Sequence, residues 1–233
     1  MAKTIVSLYD DFATAQRVAQ ELVDAGFSRD NISVMANDAT GEYGSQMGAE
    51  FDAESGASGA AAGAGMGATV GGIGGLLVGL GAIAIPGIGP VVAAGPLVTA
   101  LVSAGVGAGV GAVTGGLVGA LVDAGVPEEE AEYYVEGVRR GGALLTVQIP
   151  DGTDEQQAML IINRHQPVDI RERASFWGTT GWTGFDPEAT PYSTNDIAQE
   201  RTSYSAYRRG SREGTGYGED LRDDPNYRSR GWQ

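Results

Sequence analysis

Asp10 and Asp11 stand where an apolar run gives way to a helical pattern, and adjacent carboxylates can hold a metal ion or divide acid and base roles between them. The start of a helix equally suits an N-cap, whose side-chain oxygen accepts a backbone amide hydrogen bond, and that reading is the favoured one. A second acidic group, Glu128, Glu129, Glu130, Glu132 and Glu136, would ligate calcium only from a loop; on a helix it forms a solvated face. His165, the single histidine, follows Arg164 at the end of a helical pattern and suits capping or a surface role better than catalysis. The chain has no cysteine, which excludes thiol catalysis, disulfides and thiolate metal ligands. Its GxG matches lie in an uncharged run, without the preceding strand or the acidic residue about 20 positions on that a dinucleotide site requires. No catalytic residue, metal or cofactor is expected, and the protein reads as non-enzymatic.

The elements that carry these groups alternate strand and helix. Thr4 to Tyr9 reads as a strand, and Phe12, Ala15, Val18, Ala19, Leu22 and Val23 share one face of a helix closed by Gly26. Asn31 to Ala36 is a second strand, followed by a polar linker to Glu54. After the uncharged run, Pro127 opens a helix with three glutamates in its first turn and Arg139, Arg140 and Gly141 at its end. Ala143 to Ile149 is a strand, Thr153 caps a helix burying Ala158, Ile161 and Ile162, and Val168 to Arg171 is a short final strand. The order βαβ, insertion, αβαβ predicts a ferredoxin-like α+β sandwich interrupted by a long hairpin. Its parts are residues 1–54 (first half and linker), 55–124 (hairpin), 125–172 (second half) and 173–233 (tail). Little in the tail can be buried, so disorder is expected there; the cluster Phe176, Trp177, Trp182 and Phe185 is expected to dock on the domain's own surface or at a membrane interface.

Between Ser55 and Val122 there is no Asp, Glu, Lys or Arg. Within that run Gly59, Gly63, Gly67, Gly71, Gly75 and Gly79 recur every fourth residue, and Ser103, Gly107, Gly111, Gly115 and Gly119 repeat the spacing. On helices each series is a strip without side chains, a glycine zipper along which another backbone can approach closely. Pro86, Gly87, Gly89 and Pro90 mark the turn between two arms, Met66 to Ile85 and Leu97 to Val122, each long enough for a hydrocarbon core of roughly 30 Å. The expectation is a helical hairpin inserted in the cell membrane and self-associating as a homo-oligomer, with both flanks cytoplasmic. The start, with one Lys and then two Asp, lacks the pattern of a secretory signal. The alternative is a soluble ligand-binding or interaction module whose glycine-rich helices pack in an oligomer.

Net charge is −15, and residues 1 to 170 hold 20 acidic against 6 basic side chains, so the body is not expected to bind nucleic acid. The tail is nearly balanced, and Tyr204, Tyr207, Arg208, Arg209 and Arg212 interleave aromatic and basic groups toward a partner the sequence does not name.

Several stretches together resemble the bacterial general stress proteins of the YflT-like, 17M-like type, some labelled low-temperature-induced or heat-induced. They are Val6 to Asp11, Ala25-Gly26-Phe27 leading to Ile32-Ser33-Val34, Ala84 to Val91 with Ala94-Gly95-Pro96, and Gly125 to Ala131 leading to Gly141-Gly142. The resemblance covers about residues 3 to 172 and implies a stress-linked, non-enzymatic protein with no catalytic residues to carry over.

Overall fold

Five apolar runs pair into one antiparallel sheet: β1 (Lys3–Tyr9), β2 (Ile32–Asn37), β3 (Gly81–Ile85), β4 (Gly89–Ala94) and β5 (Ala143–Ile149), in the spatial order β1-β5-β2-β4-β3. The computed structural model describes residues 3–41, 81–85, 87–97, 112–150 and 154–214, in two units, Met1–Thr194 and Asn195–Gln233. β5 lies between β1 and β2 and is antiparallel to both, in registers running from Lys3↔Ile149 to Tyr9↔Ala143 and from Ile32↔Val147 to Ala36↔Ala143. β1 and β2 are therefore parallel, joined by helix α1 (Phe12–Asp24) in the βαβ form expected from the sequence.

One face of the sheet is covered by α1 and by α4 (Glu155–Arg164). Phe12, Ala15, Val18, Ala19 and Leu22 of α1 meet Ala158, Ile161 and Ile162 of α4 over Tyr9, Val34, Leu145 and Val147. Asp11 caps α1 by accepting from the Thr14 amide at 2.7 Å, and Gly26, at φ 98°, ends it in the left-handed region. Tyr9 reaches through this layer to donate to the Ile162 carbonyl at 3.2 Å.

The opposite face is covered by α3 (Glu128–Arg139), which contacts β1, β2 and β5 and is flanked by α2 (Ala112–Asp123) and α5 (Ile170–Thr179). Gly137 lets α3 come close, since a Cβ there would overlap the Leu8 side chain. With both faces covered, β2 is buried at all six positions and β5 at six of seven.

Three expectations are corrected. Gly81–Ile85, expected as the end of the first membrane helix, is a strand that pairs with Gly89–Ala94 in a β-hairpin; β4 adds to β2 from Val34↔Ala94 to Asn37↔Val91, which joins the stretch expected to link two helical arms to the domain's own sheet. Ile88 donates to the Ile85 carbonyl at 3.1 Å, and Gly87 has φ 75°, in the left-handed region that favours glycine. Val168–Arg171 is not a strand: Val168 makes one backbone bond to Leu8, then Asp169 caps α5 by accepting from the amides of Arg171 and Glu172. The tail is not disordered from residue 173 onward, because α5 buries Phe176 and Trp177, and α6 (Thr194–Gly214) forms in the second unit. Within α6, Tyr204 stacks on Tyr207 and Arg208 lies over Tyr204, contacts at helical spacing.

Candidate functional site

The densest polar chemistry lies at the C-terminal end of α3. The helix turns Ala131, Val135 and Val138 toward the sheet, and Glu136 falls on the same buried side with 0% exposure. A carboxylate there must be paired, and Arg139 and Arg140 follow at the two spacings that lie beside it on a helix. Arg140 Nε donates to Glu136 Oε1 at 2.5 Å, and Arg139 Nη1 lies 3.2 Å from both carboxylate oxygens. The Arg140 guanidinium lies over the Trp177 ring at 4.9 Å, and the Tyr192 ring faces Arg139 at 4.9 Å and Arg140 at 5.2 Å. Arg139 Nη2 also donates to the Thr190 carbonyl at 3.0 Å. From the sheet side, Asn37 Nδ2 donates to the carbonyls of Arg139 and Ile88, both at 3.3 Å.

This cluster holds parts together. Its carboxylate accepts from two guanidinium groups, which in turn reach the Trp177 and Tyr192 rings. The expectation that Glu136 belongs to a solvated acidic face is thereby corrected, while Glu128 and Glu129 are exposed as expected. The signal was present in the sequence: Glu136 sits between Val135 and Gly137-Val138 and is followed by two arginines.

Near the other end of α3, a groove of about 560 Å³ runs between α3 and α5, lined in part by Glu129, Glu132, Tyr133, Arg171 and Trp182. Trp182 packs edge-on to Trp177 with centroids 5.5 Å apart and lies 5.7 Å from Tyr133, and its indole N–H is buried without a hydrogen-bond partner. Tyr133 donates to Glu129, which pushes its phenol above the ordinary range, and Arg171 is paired with Glu130. The aromatic cluster does dock on the domain's own surface, as one of its two expected readings had it: Phe176 and Trp177 are buried and Trp182 is half-buried.

The remaining candidates fall in separate places. Asp11 is the expected cap, whereas Asp10 pairs with Arg173 of α5 at 2.7 Å. His165 follows α4 as its C-cap and brings Nε2 to 2.7 Å from Glu21 of α1, which also pairs with Arg164. That contact with His165 holds the Glu21 carboxyl below its usual range. Among the described residues no group of His, Asp and Glu could hold a metal ion. Gly59, Gly63, Gly67, Gly71, Gly75, Gly79, Ser103, Gly107 and Gly111 lie outside the described residues, as does Pro86. Gly115 and Gly119 lie in α2; at Gly119 a Cβ would meet nothing within 4 Å among the described residues, so no close helix contact is seen there. Gly87, Gly89 and Pro90 form the β3–β4 turn and the start of β4. Among the described residues no helix is long and apolar enough to cross a membrane. Comparison with family models, curated proteins and solved structures finds no match to the chain.

Proposed function

We propose that the protein is a non-enzymatic general stress-response protein that associates with the lipid bilayer through its glycine-rich runs, self-associates through the same glycine strips, and keeps its α+β domain in the cytoplasm. The observation that carries this reading is the pairing of Gly81 with Ala93 in the hairpin added to β2. Gly81 follows Gly79 by two residues and Ala93 precedes Ser103 by ten, which supports a common anchor for the two four-residue series. The domain itself we read as a ferredoxin-like core, β1-α1-β2 with β5-α4, whose last strand is replaced by α5.

The anchors also set the depth. Residues 42–80 connect β2 to β3 and residues 98–111 connect β4 to α2, so both ends of each run are tied to the same domain. A single crossing would strand the far end on the wrong side. Out and back, the 26 uncharged residues 55–80 give about 20 Å per limb at 1.5 Å per residue, less than a hydrocarbon core of roughly 30 Å. The proposal is therefore insertion from one face, with both termini on the cytoplasmic side, in place of the spanning hairpin expected from sequence. Given the net charge of −15, zwitterionic vesicles should be preferred over anionic ones.

Fractionation of the untagged protein at native expression tests the reading. Recovery with membranes, released by detergent, is expected; recovery in the soluble fraction without detergent would overturn it. Gly71→Leu and Gly107→Leu leave the runs more hydrophobic, so they should retain bilayer binding while losing the oligomer.

The groove between α3 and α5 favours a second reading, a soluble module that binds a small cationic ligand on Tyr133 and Trp182 beside Glu129 and Glu132. Titration with tetramethylammonium, followed by tryptophan fluorescence, tests it; an unchanged spectrum would remove it.

A further inference from the structure

We propose that the segment from Trp182 to Ser193 is a latch that locks the β3–β4 hairpin onto the sheet, and that its release frees the hairpin while β1, β5 and β2 stay paired. The hairpin is the least secured part of the sheet. β4 joins β2 through four residue pairs, against seven between β1 and β5, and among the described residues β3 is paired to β4 alone. The tip of the hairpin is gripped from two directions. Asn37 bonds the Ile88 carbonyl from the sheet side, and Asp38 donates to the Pro90 carbonyl at 2.8 Å.

From the other side, the segment 186–191 rests directly on the turn. Gly87 is pressed so closely that a Cβ would come within 2.7 Å of the Pro187 carbonyl oxygen, and a Cβ on Gly89 would stand 3.0 Å from Pro191 Cβ. The segment is itself fastened at both ends. Trp182 packs on Trp177 and Tyr133, and at the far end the Thr190 carbonyl and the Tyr192 ring are held by Arg139 and Arg140. Two arginines already anchored by buried Glu136 thus extend their hold to the hairpin through a segment that belongs to no helix or strand. Cation–π contacts and one hydrogen bond to a carbonyl are separable without opening an apolar core, which suits a fastening that opens and closes.

The consequence concerns both glycine-rich runs. The hairpin's two outer ends continue into residues 42–80 and 98–111, so the latch sets whether those runs share a fixed anchor on the sheet. This inference rests on contacts within the first unit and is independent of the membrane reading; fractionation can fail while the latch stands.

Amide hydrogen exchange on the full chain tests it. Tyr192→Ala removes the half-buried ring facing both guanidinium groups, and Arg139→Lys removes the fork that joins Glu136, Thr190 and Tyr192. Each is expected to speed exchange across residues 81–94 by about tenfold while residues 3–9 and 143–149 keep wild-type protection. Equal acceleration in all strands would show a segment that merely supports the global fold, and unchanged exchange in 81–94 would show that it holds nothing; either result overturns the proposal. Thermal melting of both variants identifies any general loss of folding, and Tyr192→Ala, at a half-buried loop position, provides the readout if Arg139→Lys unfolds.

Discussion

The two faces of the sheet are built on different principles. Under α1 and α4 the contacts are largely aliphatic, drawn from periodic patterns in segments adjoining β1 and β5, and among the described residues their deep polar link is the Tyr9 hydroxyl on the Ile162 carbonyl. Under α3 the layer holds a fully buried glutamate, two arginines, a fully buried tryptophan and a tyrosine from three separate stretches of chain. An aliphatic layer tolerates exchange of similar shapes, since each member loses only contact area. A buried ionic layer does not, because removing one member leaves another charged and unpaired. The difference teaches where this domain should be brittle.

The largest effects are expected on the α3 face. Glu136→Ala leaves two largely buried guanidinium groups without their carboxylate and should cost about 3–5 kcal/mol, read from urea unfolding. Trp177→Ala should fall in the same range of about 3–5 kcal/mol, since it empties the volume of the largest fully buried side chain and exposes Arg140. Leu145→Val on the α1 face keeps most of its volume and should cost less than about 1.5 kcal/mol. Equal losses for Glu136→Ala and Leu145→Val would erase the distinction between the faces.

The legibility of the two faces follows the same division. Asp11 as cap, Gly26 and Gly141 as stops, β5 at Ala143–Ile149 and the trio Ala158, Ile161 and Ile162 were all readable, because local periodicity and capping decide them. The uncharged run misled at Gly81–Ile85. Small and β-branched residues there fit a strand or an apolar helix equally, and only pairing with β4, itself added to β2, selects the strand. Tyr192 lies in a polar stretch that reads as unfolded by composition, and Trp177, expected to dock, came with no named partner; both meet Arg139 or Arg140, which no local pattern connects to them. The docking of Trp177 was thus legible as one of two readings of the aromatic cluster, while the burial of Glu136 and the part played by Tyr192 were not.

A tyrosine on each face sharpens the comparison at high pH. Burial raises the phenols of Tyr9 and Tyr134, and for Tyr134, with Glu130 and Asp169 adding to the effect, the value is pushed up to about 12 from 10.0. A raised phenol favours the folded state fully below the unfolded value, and that contribution is lost as pH rises from about 10 through about 12. The loss from Tyr134 is on the order of 2–3 kcal/mol, and Tyr134→Phe should remove that part of the alkaline decline. An unchanged alkaline limb in Tyr134→Phe would assign the loss to other groups.

Two helical glycines give smaller effects of opposite sign. At Gly137 a Cβ meets the fully packed Leu8 side chain, so Gly137→Ala should destabilise by about 1–3 kcal/mol despite better helix propensity. At Gly119 a Cβ meets open space, and Gly119→Ala should stabilise by up to about 1 kcal/mol through propensity alone. If Gly119→Ala destabilises, a backbone does lie against that glycine, and the strip Ser103 to Gly119 gains the contact the described residues lack.

The smallest expected effect lies at the edge of the aliphatic face, where Glu21 of α1 meets His165 and Arg164 beyond the end of the α1–α4 contact. The hydrogen bond with His165, followed by the attraction of Arg164, lowers the Glu21 carboxyl below its ordinary 4.5. A lowered carboxyl contributes stability that is fully present above the unfolded value and is lost as pH falls through the folded one, so the window opens below about pH 4.5. Solvent reaches this pair, so the change should be a shallow step on the acid limb, far less than the loss from Glu136→Ala. Urea midpoints measured between about pH 3 and pH 6 should show that step in the parent and a flatter profile in Glu21→Gln and His165→Gln. Parallel profiles in all three proteins would mean that α1 and α4 are joined by their aliphatic faces alone, and that the contrast with the ionic α3 face is complete.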